Sequence, residues 1–186
     1  MSIVAKTAID GVLVITPRRF SDERGFFSEV YNQRTLGEAG LDQIFVQDNH
    51  SYSAEAGTVR GLHYQAPPAA QAKLVRVSRG AVIDVAVDVR RGSPTFGMHV
   101  KEVLTAENGV QLYVPEGFLH GFVTMEPHTE VQYKVSNFYA AEHDGAVLWN
   151  SLELGIDWGL GGDDAVLSEK DAKATPWAQF ETPFDI

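Results

Sequence analysis

Short runs of alternating apolar and polar residues recur through most of this chain, and Gly, Pro and Asn turns separate them. A period of two is the mark of a strand with one face against a core. The runs fall at 12–16, 26–31, 44–51, 58–65, 73–78, 81–89, 97–104, 110–114, 121–125 and 129–136. In the 81–89 run Ile83, Val85, Val87 and Val89 share one parity, and Asp84 and Asp88 share the other. Turn residues stand at 55–57, 90–94, 107–109 and 116–117. Many short strands at regular spacing predict an all-β sandwich or barrel. Helical signals are few: 35–39, closed by Gly40, and 168–173, where Ser168 is a candidate N-cap with Asp171 three residues on. No repeat, low-complexity tract or linker divides the chain, and 186 residues suit one domain of about 100–200 residues. Residues 1–186 are therefore read as a single domain.

Composition removes several classes of function. With 44% hydrophobic and 22% charged residues the chain reads as globular rather than disordered. Its longest apolar run, 11–15, falls far short of the roughly 20 residues of a membrane helix, so no membrane partner is expected. Lys6 and Asp10 interrupt what a secretory leader would need as an apolar stretch, and the cytoplasm is the expected compartment. There are no cysteines, so disulfides, thiolate metal sites and thiol catalysis are excluded. A net charge of −10 argues against nucleic acid as a partner, while a local basic pocket could still hold a small anion.

The common nucleotide and hydrolase motifs are missing. Gly159-Leu-Gly161-Gly162 has neither the spacing nor the context of a dinucleotide site. Asn49-His-Ser51 fits a glycosylation sequon, which means little without a secretory leader. Two segments, however, resemble the cupin barrels. Gly109, Pro115, Gly117 and His120 follow the second cupin motif, with Thr124 where Asn is usual. The first motif is half present: Gly61-Leu-His63-Tyr-Gln65 has Gln at the place of its second His. A catalytic metal takes three or more His or carboxylate ligands, and only His63 and His120 remain as inward candidates. The resemblance implies a jelly-roll barrel with a few short peripheral helices and without the metal.

A longer series of segments resembles one family within that fold. It includes Phe20-Ser-Asp-Glu-Arg-Gly-Phe-Phe-Ser-Glu29, Gln47-Asp-Asn49, Arg60-Gly-Leu-His-Tyr-Gln65 and Gln71-Ala-Lys-Leu-Val-Arg-Val77. It continues with Asp84-Val-Ala-Val-Asp88, Ser93-Pro-Thr-Phe-Gly97, Pro115-Glu-Gly-Phe-Leu-His-Gly-Phe122 and Leu167-Ser-Glu-Lys-Asp171. Together these resemble the dTDP-4-dehydrorhamnose 3,5-epimerases. Asp144 stands where that family commonly has Glu, and Ala141 where Pro is frequent. The resemblance implies a dTDP-linked 4-keto-6-deoxyhexose as substrate, epimerised at C3 and C5 on the way to rhamnose. The C4 ketone acidifies both neighbouring C–H groups and is itself the electron sink, so no cofactor is expected. The protein must supply a base, an acid on the opposite face and a donor to the enolate oxygen.

By this resemblance His63 is the base, and an imidazole with an unperturbed pKa of about 6.5 suits the task. Tyr133 is the acid. It shares parity with Val131 and Val135, which fits a plain core tyrosine equally well. Lys73 is the donor to the C4 oxygen and shares the parity of Val75 and Val77, so it should point inward. Asp171 pairs with His63, although Ser168-x-x-Asp171 is also a helix-capping pattern, and Asp84 is a rival partner. Arg24, Arg60 and Lys170 match the phosphate-binding cations; Glu29, Gln47, Asn49 and His120 match polar binding positions. Tyr139 matches the aromatic that stacks on thymine, with Asp144 a nucleotide contact beside it. His50, His99, His128 and His143 match no catalytic position. The resemblance further implies a homodimer, in which the N-terminal half brings Arg24 and Glu29 to the neighbour's nucleotide site. Phe26 and Phe27 are adjacent and face opposite ways, so one of them needs a covering surface.

Other readings of the same residues are an epimerase acting at C3 or C5 alone, a metal-dependent cupin dioxygenase, and a cupin that binds a ligand without catalysis. The missing second His counts against the dioxygenase. Joint retention of His63, Lys73, Tyr133 and Asp171 counts against the pure binder.

Overall fold

Alternating strands need cover on at least one face, and here the chain supplies it by crossing repeatedly between two sheets. A computed structural model describes residues 3–161 and 164–186. The strands are β1 (Ile3–Lys6), β2 (Leu13–Thr16), β3 (Arg19–Asp22), β4 (Gly25–Ser28), β5 (Gln47–Ser53), β6 (Val59–Gln65), β7 (Lys73–Arg79) and β8 (Ala81–Asp88). They continue with β9 (Arg90–Arg91), β10 (His99–Thr105), β11 (Gln111–Val114), β12 (Phe118–Thr124), β13 (Thr129–Val135), β14 (Asp144–Ala146) and β15 (Phe184–Asp185). The helices are α1 (Gln33–Glu38) and α2 (Glu169–Ala172). Among the described residues no helix is long and apolar enough to cross a membrane.

One sheet has six strands in the order β1-β2-β11-β7-β13-β5, and the other has five in the order β10-β8-β12-β6-β14. From β5 to β8 each successive strand lies in the opposite sheet, and the same holds from β10 to β14. This is a jelly-roll barrel of the cupin type. Its interior is packed by Val75 and Val77 of β7, Val82 and Ala86 of β8, Leu104 of β10, Phe118 and Phe122 of β12, and Val131 of β13.

The outer faces are covered too. Val85, Val87, Leu119 and Val123 point out of the five-stranded sheet and pack under Trp149, Trp158 and Phe184. The buried Trp158 indole N–H donates to Trp149 O at 2.9 Å. Leu36 and Leu41, within and just after α1, cover Ile15, Leu74 and Tyr113 of the six-stranded sheet. Each such side chain contributes about 1.5–3 kcal/mol by leaving water, which fastens the C-terminal segment to the barrel.

Most expected strands are present to within a few residues, and differences have local causes. α1 starts at Gln33 rather than Thr35, because the Asn32 side chain caps it by accepting from Arg34 N and Thr35 N at 3.0 and 3.2 Å. The 44–51 run becomes β5 only from Gln47, and Ile44 and Val46 stay exposed. The 26–31 run contracts to β4, which pairs with β3 in a hairpin outside both sheets. Neither Phe26 nor Phe27 finds cover there, and both are exposed. The 168–173 segment forms α2, capped by Ser168. Gly162 and Asp163, within the glycine-rich 155–164 stretch, lie outside the described residues.

Asp88 shows how the barrel's end is fastened. Fully buried at the end of β8, it accepts from Arg90 N, Nε and Nη2, from Ser93 Oγ and from Thr95 Oγ1 at 2.6–3.0 Å. Burial opposes its charge, but these bonds outweigh it and hold the carboxyl at about 2. A folded pKa below the unfolded value of about 3.9 contributes stability that is complete above that value and is lost as pH falls through about 2. Asp88→Asn is expected to cost about 2 kcal/mol at neutral pH, since each tenfold change in proton affinity on folding corresponds to roughly 1.4 kcal/mol. Denaturant melts at pH 7 and pH 2.5 should show the parent losing part of its advantage over the variant at the lower pH.

Candidate active site

The mouth of the barrel is where the interior turns from apolar to polar. His63 of β6 and His120 of β12 are register partners on adjacent strands of the five-stranded sheet. Lys73 of β7 and Tyr133 of β13 come from the six-stranded sheet opposite. All four line one cavity of about 410 Å³, together with Arg60, Lys170 and Asp171. A second cavity of about 410 Å³ shares His63, Lys73, Tyr133 and Lys170 and runs on to Gln47, Asn49, Tyr139 and Asp144. The two form one cleft with a histidine wall and a Lys–Tyr wall.

His63 Nε2 lies 2.5 Å from Asp171 Oδ1. A carboxylate only accepts, so Nε2 carries the proton and Nδ1 is left as the basic nitrogen. The other carboxylate oxygen, Oδ2, accepts from Ser168 Oγ at 2.9 Å, and Ser168 Oγ accepts from Asp171 N at 3.1 Å. Ser168 thus caps the helix through the Asp171 backbone N–H and with its own proton holds Oδ2, which leaves Oδ1 to His63. Burial works against the Asp171 charge, yet the His63 and Ser168 bonds, with a backbone bond from Gly61, hold its pKa below the ordinary value.

Asp84 pairs elsewhere. It is fully buried on the inward parity of β8, and its Oδ1 accepts from His120 Nε2 at 2.8 Å. Its Oδ2 is buried without a hydrogen-bond partner among the described residues. Burial pushes the His120 pKa down, against the pull of Asp84, so that ring is neutral near pH 7.

Burial also brings the Lys73 ammonium down to about 8; Asp84 and Asp144 oppose that shift and Lys170 adds to it. Tyr133 has the buried neighbours its parity predicts, since Val131 and Val135 are both about 1% exposed. Its pKa is raised, chiefly by burial, with Arg60 and Asn49 pulling the other way. It therefore holds its proton at neutral pH, as an acid must.

The polar binding positions gather at the far end of the cleft. Gln47 Nε2 donates to Asn49 Oδ1 at 2.8 Å, and Tyr139 Oη to Asp144 Oδ2 at 3.3 Å. Asp144 also pairs with Lys170. Arg60 is braced from β5, donating to Ser53 Oγ at 3.3 Å and to Tyr52 O at 3.0 Å.

The sequence model of the dTDP-4-dehydrorhamnose 3,5-epimerases matches residues 6–179. The chain belongs to that family. It is 53% identical to the dTDP-4-dehydrorhamnose 3,5-epimerase of Pseudomonas aeruginosa over 174 residues, which is 93% of this chain and 94% of the relative. The Bacillus anthracis enzyme of that name, solved with TDP and pyrophosphate bound, is 49% identical with a TM-score of 0.91, covering 94% of this chain and 98% of that one. The Legionella pneumophila dTDP-6-deoxy-D-glucose-3,5-epimerase, solved with dTDP-4-keto-L-rhamnose, is 40% identical with a TM-score of 0.93, covering 99% and 98%.

Against the family expectation, the fold brings eleven of the thirteen candidate residues to one cleft: His63, Lys73, Tyr133 and Asp171, with Arg60, His120, Lys170, Gln47, Asn49, Tyr139 and Asp144. Arg24 and Glu29 lie elsewhere in the single chain. Arg24 sits on the turn of the β3–β4 hairpin with its side chain 90% exposed and, among the described residues, paired only to Asp22, and Glu29 follows the hairpin, also exposed. Two further residues carry the site from behind. Asp84 braces His120; its parity on β8 suits a neighbouring histidine without saying which. Gln65 is buried and bonds to backbone; its only sequence signal is the absence of a second metal-binding His.

Proposed function

We propose that this chain converts dTDP-4-dehydro-6-deoxy-D-glucose to dTDP-4-dehydro-L-rhamnose by inverting C3 and C5, and that it needs no metal or cofactor to do so. The observation that carries this reading is the opposition of the His63–Asp171 pair to Tyr133 across the cleft, with Lys73 on the Tyr133 wall. His63 Nδ1 takes the proton from the carbon next to the C4 ketone. The C–H electron pair moves into the ring, and the carbonyl electrons move onto the C4 oxygen as an enolate. Lys73 stabilises that oxygen. Tyr133 returns a proton from the other face, and the C4 carbonyl re-forms. His63 then releases its proton to solvent and the Tyr133 phenolate regains one, and the step is repeated at the second carbon.

The rest of the cleft suits the nucleotide. Arg60 and Lys170 oppose the diphosphate, with guanidinium geometry suited to bidentate contact. Tyr139 offers its ring to thymine, and Gln47, Asn49, His120 and Asp144 supply polar contacts. Proton NMR of the substrate with the purified protein in D₂O tests the reading. Loss of both the C3 and C5 proton signals is expected; loss of one alone identifies a mono-epimerase, and loss of neither contradicts the proposal.

Lys73 sets a pH limit on this chemistry. It stabilises the enolate only as a cation, so turnover should fall as pH rises through about 8. Lys73→Arg keeps a charge at all accessible pH and should remove that alkaline limb from the pH–rate profile, whatever it does to the maximum. A parent profile flat to about pH 9.5, well past that limb, would show that Lys73 has another role.

The reading extends to a cytoplasmic homodimer. It is supported by the β3–β4 hairpin, which leaves Phe20, Phe26 and Phe27 50%, 58% and 69% exposed and holds Arg24 away from its own cleft. A second copy would cover the phenylalanines and receive Arg24 and Glu29 at its nucleotide end. Light scattering at micromolar concentration should give the mass of two chains, and Phe27→Asp should shift it toward one. A fully active monomer would contradict the extension.

A further inference from the structure

Gln65 stands two residues after His63, where metal-binding barrels of this type have their second histidine. It is buried, with 5% exposure, and backbone occupies its amide. Its Nε2 donates to Phe138 O at 3.0 Å and also to Ala69 O, and its Oε1 accepts from Ala140 N at 2.9 Å. Tyr139 lies between the two residues gripped on its own segment. Two more glutamines hold the same stretch. Gln47 Oε1 accepts from Tyr139 N at 3.2 Å, and Gln71 Nε2 donates to Asn137 O at 2.8 Å.

Each residue from Asn137 to Ala140 is thus tied by a glutamine amide, although the segment belongs to no strand. The side chain so presented is not packed away: Tyr139 is 62% exposed and lines the cleft. Packing alone would be served as well by an apolar side chain, because a buried amide carries a desolvation cost that only specific partners offset. Fixing an exposed ring in one place does call for those partners.

We propose that Gln65 is a positioning residue for nucleobase recognition: at a position used elsewhere for a metal ligand, it clamps the 138–140 backbone and holds the Tyr139 ring as a platform for the pyrimidine of a nucleoside-diphosphate sugar. This rests on the functional reading above. Phosphate contacts are left to Arg60 and Lys170, so the clamp acts on the base half of the ligand alone.

The test is calorimetric binding of dTDP and of inorganic pyrophosphate to the parent, to Gln65→Met, to Tyr139→Ala and to the double variant. Stacking of a base on an aromatic ring is worth at least about fivefold in affinity, and Gln65→Met should lose at least that much for dTDP while keeping its pyrophosphate affinity. KM for the sugar nucleotide should rise with kcat within about twofold, as for an interaction shared by ground and transition states. The double variant should lose no more than Tyr139→Ala alone, as for residues acting through one another. Gln65→Glu keeps the acceptor for Ala140 N and loses the donors, and should show the same selective loss if Gln65→Met does not fold. Equal losses for dTDP and pyrophosphate, unchanged dTDP affinity, or additive losses in the double variant would overturn the inference. A parent that does not bind dTDP overturns the functional reading as well, whereas a parent that binds dTDP no better than Gln65→Met overturns the inference alone.

Discussion

His63→Ala should abolish both epimerisation and solvent exchange at C3 and C5. Among the described residues no other basic nitrogen in the cleft is poised as this one is. Nε2 is committed to Asp171 Oδ1 at 2.5 Å, which leaves Nδ1 with its lone pair. His120 is the register partner of His63 but is locked to the buried Asp84. Lys73 sits on the opposite wall, and the proposed mechanism uses it as a cation. Loss of a positioned general base costs about 10²–10⁴-fold, and in the proposed mechanism both carbons depend on this one. Product formation measured by NMR should fall by that factor, with dTDP affinity retained. Asp171→Asn should reach part of the same loss, because it keeps the ring in place while removing the charge that stabilises the imidazolium.

Tyr133→Phe should be nearly as damaging to inverted product, again about 10²–10⁴-fold, and for a different reason. In the proposed mechanism the hydroxyl is the proton donor on the wall facing His63, and burial raises its pKa, so the parent keeps it protonated in the neutral range. Phenylalanine preserves the packing against the barrel core around Val131 and removes only the oxygen. The protein should fold, bind dTDP as the parent does, and still form the enolate, since His63 and Lys73 remain. A stopped-assay product analysis should therefore find substrate returned with its original configuration.

The barrel was legible because its strands are short and set apart by Gly, Pro or Asn turns, and because β8 and β13 alternate clearly, although β11 and β12 are buried along their whole length. Alternation did not say which face points inward. On β8 the valine parity looks like the core face, yet Val85 and Val87 point outward under Trp149 and Trp158, and Asp84 points into the barrel. Both faces of that sheet are buried, so hydrophobicity alone could not choose between them. The β3–β4 hairpin was half seen, because β3 is polar and exposed and has no core face to betray it.

The same division runs through the site. Parity turned Lys73 and Tyr133 inward and the family motif marked His63, but their meeting depends on two sheets facing each other, which no local pattern encodes. Asp171 could belong to a cap or pair with His63; it does both, because the cap takes its backbone N–H and leaves carboxylate Oδ1 free for His63. Asp84 had the right parity to reach a histidine and reaches His120. Gln65 was visible only as a substitution, since its bonds to Phe138 and Ala140 span more than seventy residues of chain.

The central claim is that proton removal and proton return come from opposite walls of one cleft. Its most direct test is mass-resolved deuterium uptake set against product stereochemistry, measured in the same D₂O sample for the parent, His63→Ala and Tyr133→Phe. The parent should show deuterium at C3 and C5 in inverted product, and His63→Ala should show neither deuterium nor inversion. Tyr133→Phe should show deuterium at C3 or C5 in sugar of unchanged configuration, returned by His63 to the face it left. If Tyr133→Phe inverts as well as the parent, or folds and binds dTDP yet takes up no deuterium, then the two walls do not divide the acid and base roles in this way.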